Sequence, residues 1–259
     1  MMPALFLAHA APSFALEDNA TTRFWAGLPE LLPEQPRAIL CLSGHWEASA
    51  LMLSSSTSIQ YDFHGFPEPL YQLDWPLPVD PETTAWLQDA LADIGVDITH
   101  KERPLDHGVW VPLRHAWPKP SFPVFQLSIS TPQGPRWHVE LGRKLAPLKA
   151  SGILVIATGG IVHNLGRIDW HAHENEAADW AAAFMRNADE AIRDSDIDAL
   201  CDPWGLPHGP EAVPTLDHYL PLLVTLGMAS GDPLRQLHAG WSFGTLAMHS
   251  YGVGLEARP

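Results

Sequence analysis

Residues 3–12 read PALFLAHAAP: an apolar run that stops at His9, followed by two alanines and a proline. A nearly continuous apolar run suits a strand buried on both faces of a mostly parallel sheet. The pattern recurs in AILCLS (38–43), FPVFQLSI (122–129) and ILVIAT (153–158). Helical patterns alternate with these runs: TTRFWAGLPELL (21–32) behind the cap Asn19, PETTAWLQDALADIG (81–95), RWHVELGRKLAPLKASG (136–152) and ENEAADWAAAFMRNADEAIRD (174–194). In the second, Trp86, Leu87, Ala90, Leu91 and Ile94 form one stripe between Pro81 and Gly95. The acidic residues at 174–179 read as the first turn of the last, where negative charge is favoured. Alternation of this kind predicts an α/β chain, one domain over 1–259, with three layers: a mostly parallel central sheet and helices on both faces. Pro-rich stretches at 67–81 and 201–214 read as ordered surface loops.

Composition narrows the partners. A formal net charge of −15 gives phosphates no basic face, which argues against nucleic acid and anionic membranes and for a small molecule or a cation. No stretch reaches the ~20 apolar residues of a membrane span. The first arginine is Arg23, so the basic start of a secretory signal is missing, and a cytoplasmic protein is expected. Cys41 and Cys201, the two cysteines, stand far apart, which excludes a disulfide framework and a thiolate zinc site. Cys41, inside an apolar run, reads as a small buried side chain. With 14 histidines, metal chemistry would have to come from imidazole and carboxylate.

Three apolar runs end alike. LFLA leads into His9, ILCLSG into His45 and LVIATGGIV into His163. Open parallel sheets bind ligands beyond the carboxyl ends of their strands, so three histidines from distant positions are placed to share one crevice. Their neighbours are small: Ala8, Ala10 and Ala11, then Ser43 and Gly44, then Gly159 and Gly160. His218, beside Asp217 and just before Pro221 at a helix start, is a fourth candidate; His107, in a loop after Asp106, is a fifth. Imidazole without thiolate suits Zn, Fe, Cu or Ni. His171 and His173 form an H-A-H pair that reads more simply as ordinary loop histidines, and His64 as structural. His100, His115, His138, His208, His238 and His249 read as surface or locally bonded.

The set LFLAHAAPSFALEDN, LSGHWEA, DFHGFPEPLY, LDHGVW, QLSIS, GGIVHNL and DHYLPLL resembles the class III extradiol ring-cleavage dioxygenases, in the 4,5-DOPA dioxygenase branch, from residue 3 to about residue 250. The resemblance implies a mononuclear divalent metal, Zn2+ or Fe2+, with O2 as co-substrate and a catechol opened beside its two hydroxyls. Carried over motif by motif, His9, His45, His163 and His218 would form the metal set, with Asp217 an alternative to His218 as the last ligand. His107 would be the acid/base. His163 takes that role if the metal has three protein ligands. The family reads H-G-S-P or H-G-A-P where this chain has H-A-A-P, which puts Ala10 in the glycine's place.

The chemistry needs ligands that leave metal positions free, a group titrating near neutrality, and apolar walls. Phe63, Phe66, Trp46 and Trp110 adjoin the site histidines and are the wall candidates, with plain packing the simpler role for each. A non-enzymatic metal-binding or interaction protein of the same superfold is the alternative. A zinc hydrolase ranks below both, because no HExxH or other local hydrolase signature occurs.

Overall fold

The structure is a computed structural model and describes residues 1–255; positions 256–259 of the expected domain lie outside the described residues. Among the described residues ten strands are formed: β1 Ala4–Ala8, β2 Ala38–Glu47, β3 Met52–Ser54, β4 Thr99–His100, β5 Val124–Ile129, β6 Ile153–Gly159, β7 Arg235–His238, β8 Trp241–Ser242, β9 Leu246–Ala247 and β10 Ser250–Val253. The helices are α1 Ala20–Ala26, α2 Pro81–Asp93, α3 His107–Ala116, α4 Gly134–Leu145, α5 Asp179–Arg193, α6 Ile197–Cys201, α7 Gly209–Ala212 and α8 Leu220–Ala229, with short 3-10 turns between. Eight strands make one mixed sheet in the order β4-β3-β5-β2-β6-β1-β10-β7.

Its centre, β5-β2-β6-β1, is parallel throughout. These are the four strands whose apolar runs were legible, and their residues are almost wholly buried. Their side chains alternate between two cores. Phe6, Leu40 and Val155 face α2, α4, α5 and α8. Leu5, Ile39, Cys41 and Leu154 face α1 and α3. The three-layer expectation therefore holds. The outer pairings β1–β10, β10–β7 and β3–β5 are antiparallel, carried by strands of three to six residues.

Four helix readings differ from expectation: the runs expected at 21–32 and 136–152 stop as α-helix at Ala26 and Leu145 and go on as 3-10 turns, and two more differ as follows. Residues 174–178 precede α5, which starts at Asp179, so most of the acidic run is loop. His107 is not in a loop; it is the first residue of α3, with Asp106 as the N-cap. Local signals were sound elsewhere: Asn19 closes a capping box with Thr22, Asp80 caps α2 ahead of Pro81, and Gly95 takes a positive φ of 68° beyond its end. All ten residues of α8 are buried, as suits a helix that is apolar but for Thr225, whose hydroxyl donates to backbone carbonyls, and that lies between a sheet and another helix. α8 crosses α4 at Gly142 and Gly227, where a Cβ on either would stand 2.9 Å from the other's Cα and overlap a carbonyl oxygen, that of Val224 or Val139. Gly142→Ala is expected to cost about 3 kcal/mol by forcing the helices apart. Thermal unfolding should show this as a Tm drop of roughly 5–10 °C. An unchanged Tm would mean that this crossing does not hold the helices.

Candidate metal centre

β1 and β6 run parallel and in register, Ala8 opposite Gly159, so both end at the same edge. His9 follows β1 directly, its backbone N–H bonded to the Gly159 carbonyl. β2 runs on past its apolar stretch and carries His45 within the strand. Its pairing with β5 shifts register between Leu42 and Glu47, an irregularity of the kind that re-aims a side chain beside a site. His218 comes from the turn before α8, with Pro221 in that helix's first turn. Gly160 N–H bonds the His218 carbonyl at 2.9 Å, and any Cβ on Gly159 would collide with that oxygen. The GG pair therefore lets the end of β6 touch the 217–218 segment.

The imidazoles converge. His9 Nε2 lies 3.0 Å from His45 Nε2, and His218 Nε2 lies 3.3 Å from the same atom. A four-coordinate ion about 2.0–2.1 Å from each nitrogen keeps its ligands roughly 3.3 Å apart, so these separations fit one ion. Ring nitrogens of His9, His45 and His107 also lie within 4.8 Å of one another. His9 Nδ1 is buried without a hydrogen-bond partner. Burial, followed by the neighbouring histidines, holds the pKa values of His9 and His45 far below the usual imidazole range, and pushes His163 down to about 3. These three rings are neutral at neutral pH, the state that binds a metal.

Two carboxylates back the cluster. His218 Nδ1–H donates to the Asp217 carboxylate, leaving the lone pair of Nε2 free to bind a metal, an outer-sphere pattern common to metal-binding histidines. Burial works to raise the Asp217 carboxyl, but the contact with His218 outweighs it and the carboxyl stays below its ordinary value. Asp62 Oδ1 accepts the His107 backbone N–H at 3.0 Å and stands equally close to His107 Nδ1. Its carboxyl too is raised by burial and lowered by more through His107.

His163 does not join the others edge-on. Its ring stacks on His218, centroids 3.6 Å apart and planes 6° from parallel. Imidazole lone pairs lie in the ring plane, so two stacked rings cannot both aim at one ion. His107 flanks the other side, 4.1 Å from His45 between centroids.

A buried polar network, which the motifs did not single out, supports the strand that carries His45. Asp106, wholly buried, accepts from Ser43 Oγ at 2.8 Å, from Arg103 Nη1 at 3.1 Å and from Gln126 Nε2. Ser43 Oγ also accepts the His45 N–H at 3.2 Å. The available signal was polar Ser43 and Gln126 inside otherwise apolar strands. Gly108 packs against this network. A Cβ there would lie 2.6 Å from Ser43 Oγ, 2.9 Å from His9 Cε1 and 3.0 Å from His45 Cδ2.

Above the histidines lies a cavity of about 290 Å³, and all five imidazoles line it. Phe63 and Phe66 form part of its wall; Trp170 and Phe243, unforeseen from sequence, form another. Trp46 and Trp110 are packing residues: Trp46 lies under the Arg103 guanidinium, and Trp110 is fully buried with its N–H on the Gln60 carbonyl. Ala10 lines the cavity and has no positive φ, so alanine is accommodated without strain where the family has glycine. His171 and His173 are exposed; His138 is buried and bonded to Ser130 N–H and the Gly134 carbonyl.

Comparison with known proteins defines the class. A family model described as the catalytic LigB subunit of aromatic ring-opening dioxygenase matches residues 3–254. A protein of Escherichia coli K12 named 4,5-DOPA dioxygenase extradiol is 36% identical, over 98% of this chain and 95% of its own. A Beta vulgaris protein of the same name is 33% identical over 95% and 94%. The crystal structure of an uncharacterized Escherichia coli K12 protein superposes with a TM-score of 0.82 at 33% identity, over 98% of this chain and 100% of that one. The chain is thus an extradiol ring-cleaving dioxygenase. It belongs to the LigB family. No helix among the described residues is long and apolar enough to cross a membrane.

Proposed function

We propose that the protein inserts both atoms of O2 into a catechol ring beside its hydroxyls, giving a muconic-semialdehyde-type product. The observation that carries the reading is the meeting of His9, His45 and His218 Nε2 atoms at the floor of an aromatic cavity. His9, His45 and His218 would hold the metal, His218 oriented by Asp217. When bound there, Fe(II) would supply Lewis acidity and redox chemistry toward oxygen that no side chain has, whereas Zn(II), being d¹⁰, would supply the Lewis acidity alone.

The chain's own residues do the rest. Phe63, Phe66 and Phe243 flank a planar ring and exclude water from it. His163, left out of the ligand set by its stacking on His218, is neutral and faces the cavity, so its ring accepts the proton of a catechol hydroxyl that a bound metal would have made acidic and returns one to the opened product. His107, held by Asp62 across the cluster, orients the second hydroxyl. The names of the relatives support a catechol of the DOPA type.

The test is oxygen uptake by protein reconstituted anaerobically with Fe(II) and given a catechol under ¹⁸O2. Equimolar oxygen loss, a yellow product and two labelled oxygens in it are expected. Iron-loaded protein that consumes no oxygen would overturn the proposal.

A further inference from the structure

We propose that Asp106 is a positioning residue of this site: wholly buried, its carboxylate holds the backbone of His45 where that ring can bind a metal. The inference rests on the ligand set proposed above and adds a residue that acts on it from behind.

His45 needs such a hold because its strand has left the ladder of the sheet. The register of β2 with β6 ends at Ser43, and that with β5 breaks after Leu42 and resumes at Glu47. Between those points Ser43 Oγ accepts the His45 N–H at 3.2 Å, and the His45 carbonyl accepts from Arg103 Nη2 at 3.4 Å. Asp106 fixes both partners, accepting from Ser43 Oγ at 2.8 Å and from Arg103 Nη1 at 3.1 Å. A hydroxyl has one proton to give. Ser43 gives it to Asp106, which leaves the lone pairs of the oxygen for the His45 N–H.

Ordinary helix capping does not account for this carboxylate. Asp106 is the N-cap of α3, where an aspartate ordinarily accepts a backbone N–H of the first turn. Its side chain makes no such bond, and Asp62 Oδ1 accepts the His107 N–H instead. The Asp106 carboxylate is directed away from its own helix and toward β2. Stability is a poor account too, because a buried ion pair contributes little of it. A fully satisfied network does fix one arrangement of its members. Gln126 completes that satisfaction, its Nε2 donating to Asp106 and its Oε1 accepting from Arg103 at 3.4 Å. Since Asp106 also begins α3, the same group sets His107 against His45, their ring centroids 4.1 Å apart.

The experiment loads the protein with Co(II), whose visible spectrum reports ligand geometry, and measures affinity by chelator competition. Asp106→Asn keeps the shape but turns an amide N–H toward groups that all donate. Its Co(II) affinity should fall by about 10–100-fold, with an altered spectrum. Ser43→Ala removes one hydroxyl and keeps the Asp106–Arg103 pair; a loss of about fivefold is expected, and this variant decides the matter should Asp106→Asn not fold. Leu87→Ala is the control. It opens a cavity under α2, whose Trp86 stacks on Arg37 at the amino end of β2, the edge opposite His45. Its Tm should drop while Co(II) affinity and spectrum stay unchanged. Unchanged affinity and spectrum in the folded Asp106 and Ser43 variants, or an equal loss in Leu87→Ala, would overturn this inference and leave the ligand set standing. Unaltered protein that binds no Co(II) would overturn the ligand set and this inference with it.

Discussion

Replacing His45 by alanine is expected to abolish stoichiometric metal binding and, with it, ring cleavage. His45 Nε2 is the atom that both His9 and His218 approach, at 3.0 and 3.3 Å, so its removal opens both contacts at once. Outer-sphere partners of metal ligands typically contribute 10–100-fold in affinity, and loss of this central ligand should exceed ~100-fold. The backbone of β2 stays paired with β5 and β6 whatever side chain stands there, so the variant should fold. Metal content after dialysis, alongside circular dichroism, is the measurement. A folded His45→Ala protein that retains one iron per chain would place the metal elsewhere.

His163→Ala should give the opposite split. Its ring lies flat on His218 and would contribute no in-plane lone pair to an ion held by His218 in the proposed site, so metal content should stay near one per chain. Turnover should fall by about 10²–10⁴, the usual contribution of a positioned acid/base. Iron content and kcat on the same preparation decide it. Loss of the metal together with activity would make His163 a ligand, and full activity with metal retained would pass the proton-moving role to His107.

Much of this architecture is legible along the chain because the central strands are buried on both faces. PALFLA, AILCLS, FPVFQLSI and ILVIAT are therefore continuous apolar runs, and the histidines that follow His9's pattern stand out against them. The strands β3, β4 and β7–β10 have two to four residues each, too few for a period to emerge; β3, β4, β7 and β10 are set by pairing within the large sheet, and β8 and β9 by pairing with each other. α3 escaped notice because Gly108 and Pro112 disguise a helix whose buried face, Val109, Trp110 and Leu113, packs against β2 and β6.

The site was legible as residues but not as geometry. Sequence placed His9, His45, His163, His218 and His107 near one another, and the structure brings all five to one cavity. What sequence could not carry is the angle between rings: the stacking of His163 on His218 is what, in the proposed site, would separate a ligand ring from one lying beside it. The Trp170–Phe243 wall was equally hidden. Trp170 lies in a loop without periodicity, and Phe243 sits at a φ of 51° in the turn between β8 and β9.

The most direct test of the account is anomalous diffraction at the iron edge from crystals of the Fe(II)-loaded protein. A single peak about 2.1 Å from the Nε2 atoms of His9, His45 and His218, with His163 and His107 beyond ligand distance, is the predicted result. A peak ligated by His107 or His163 in place of His218, or iron bound away from the cavity, would contradict it.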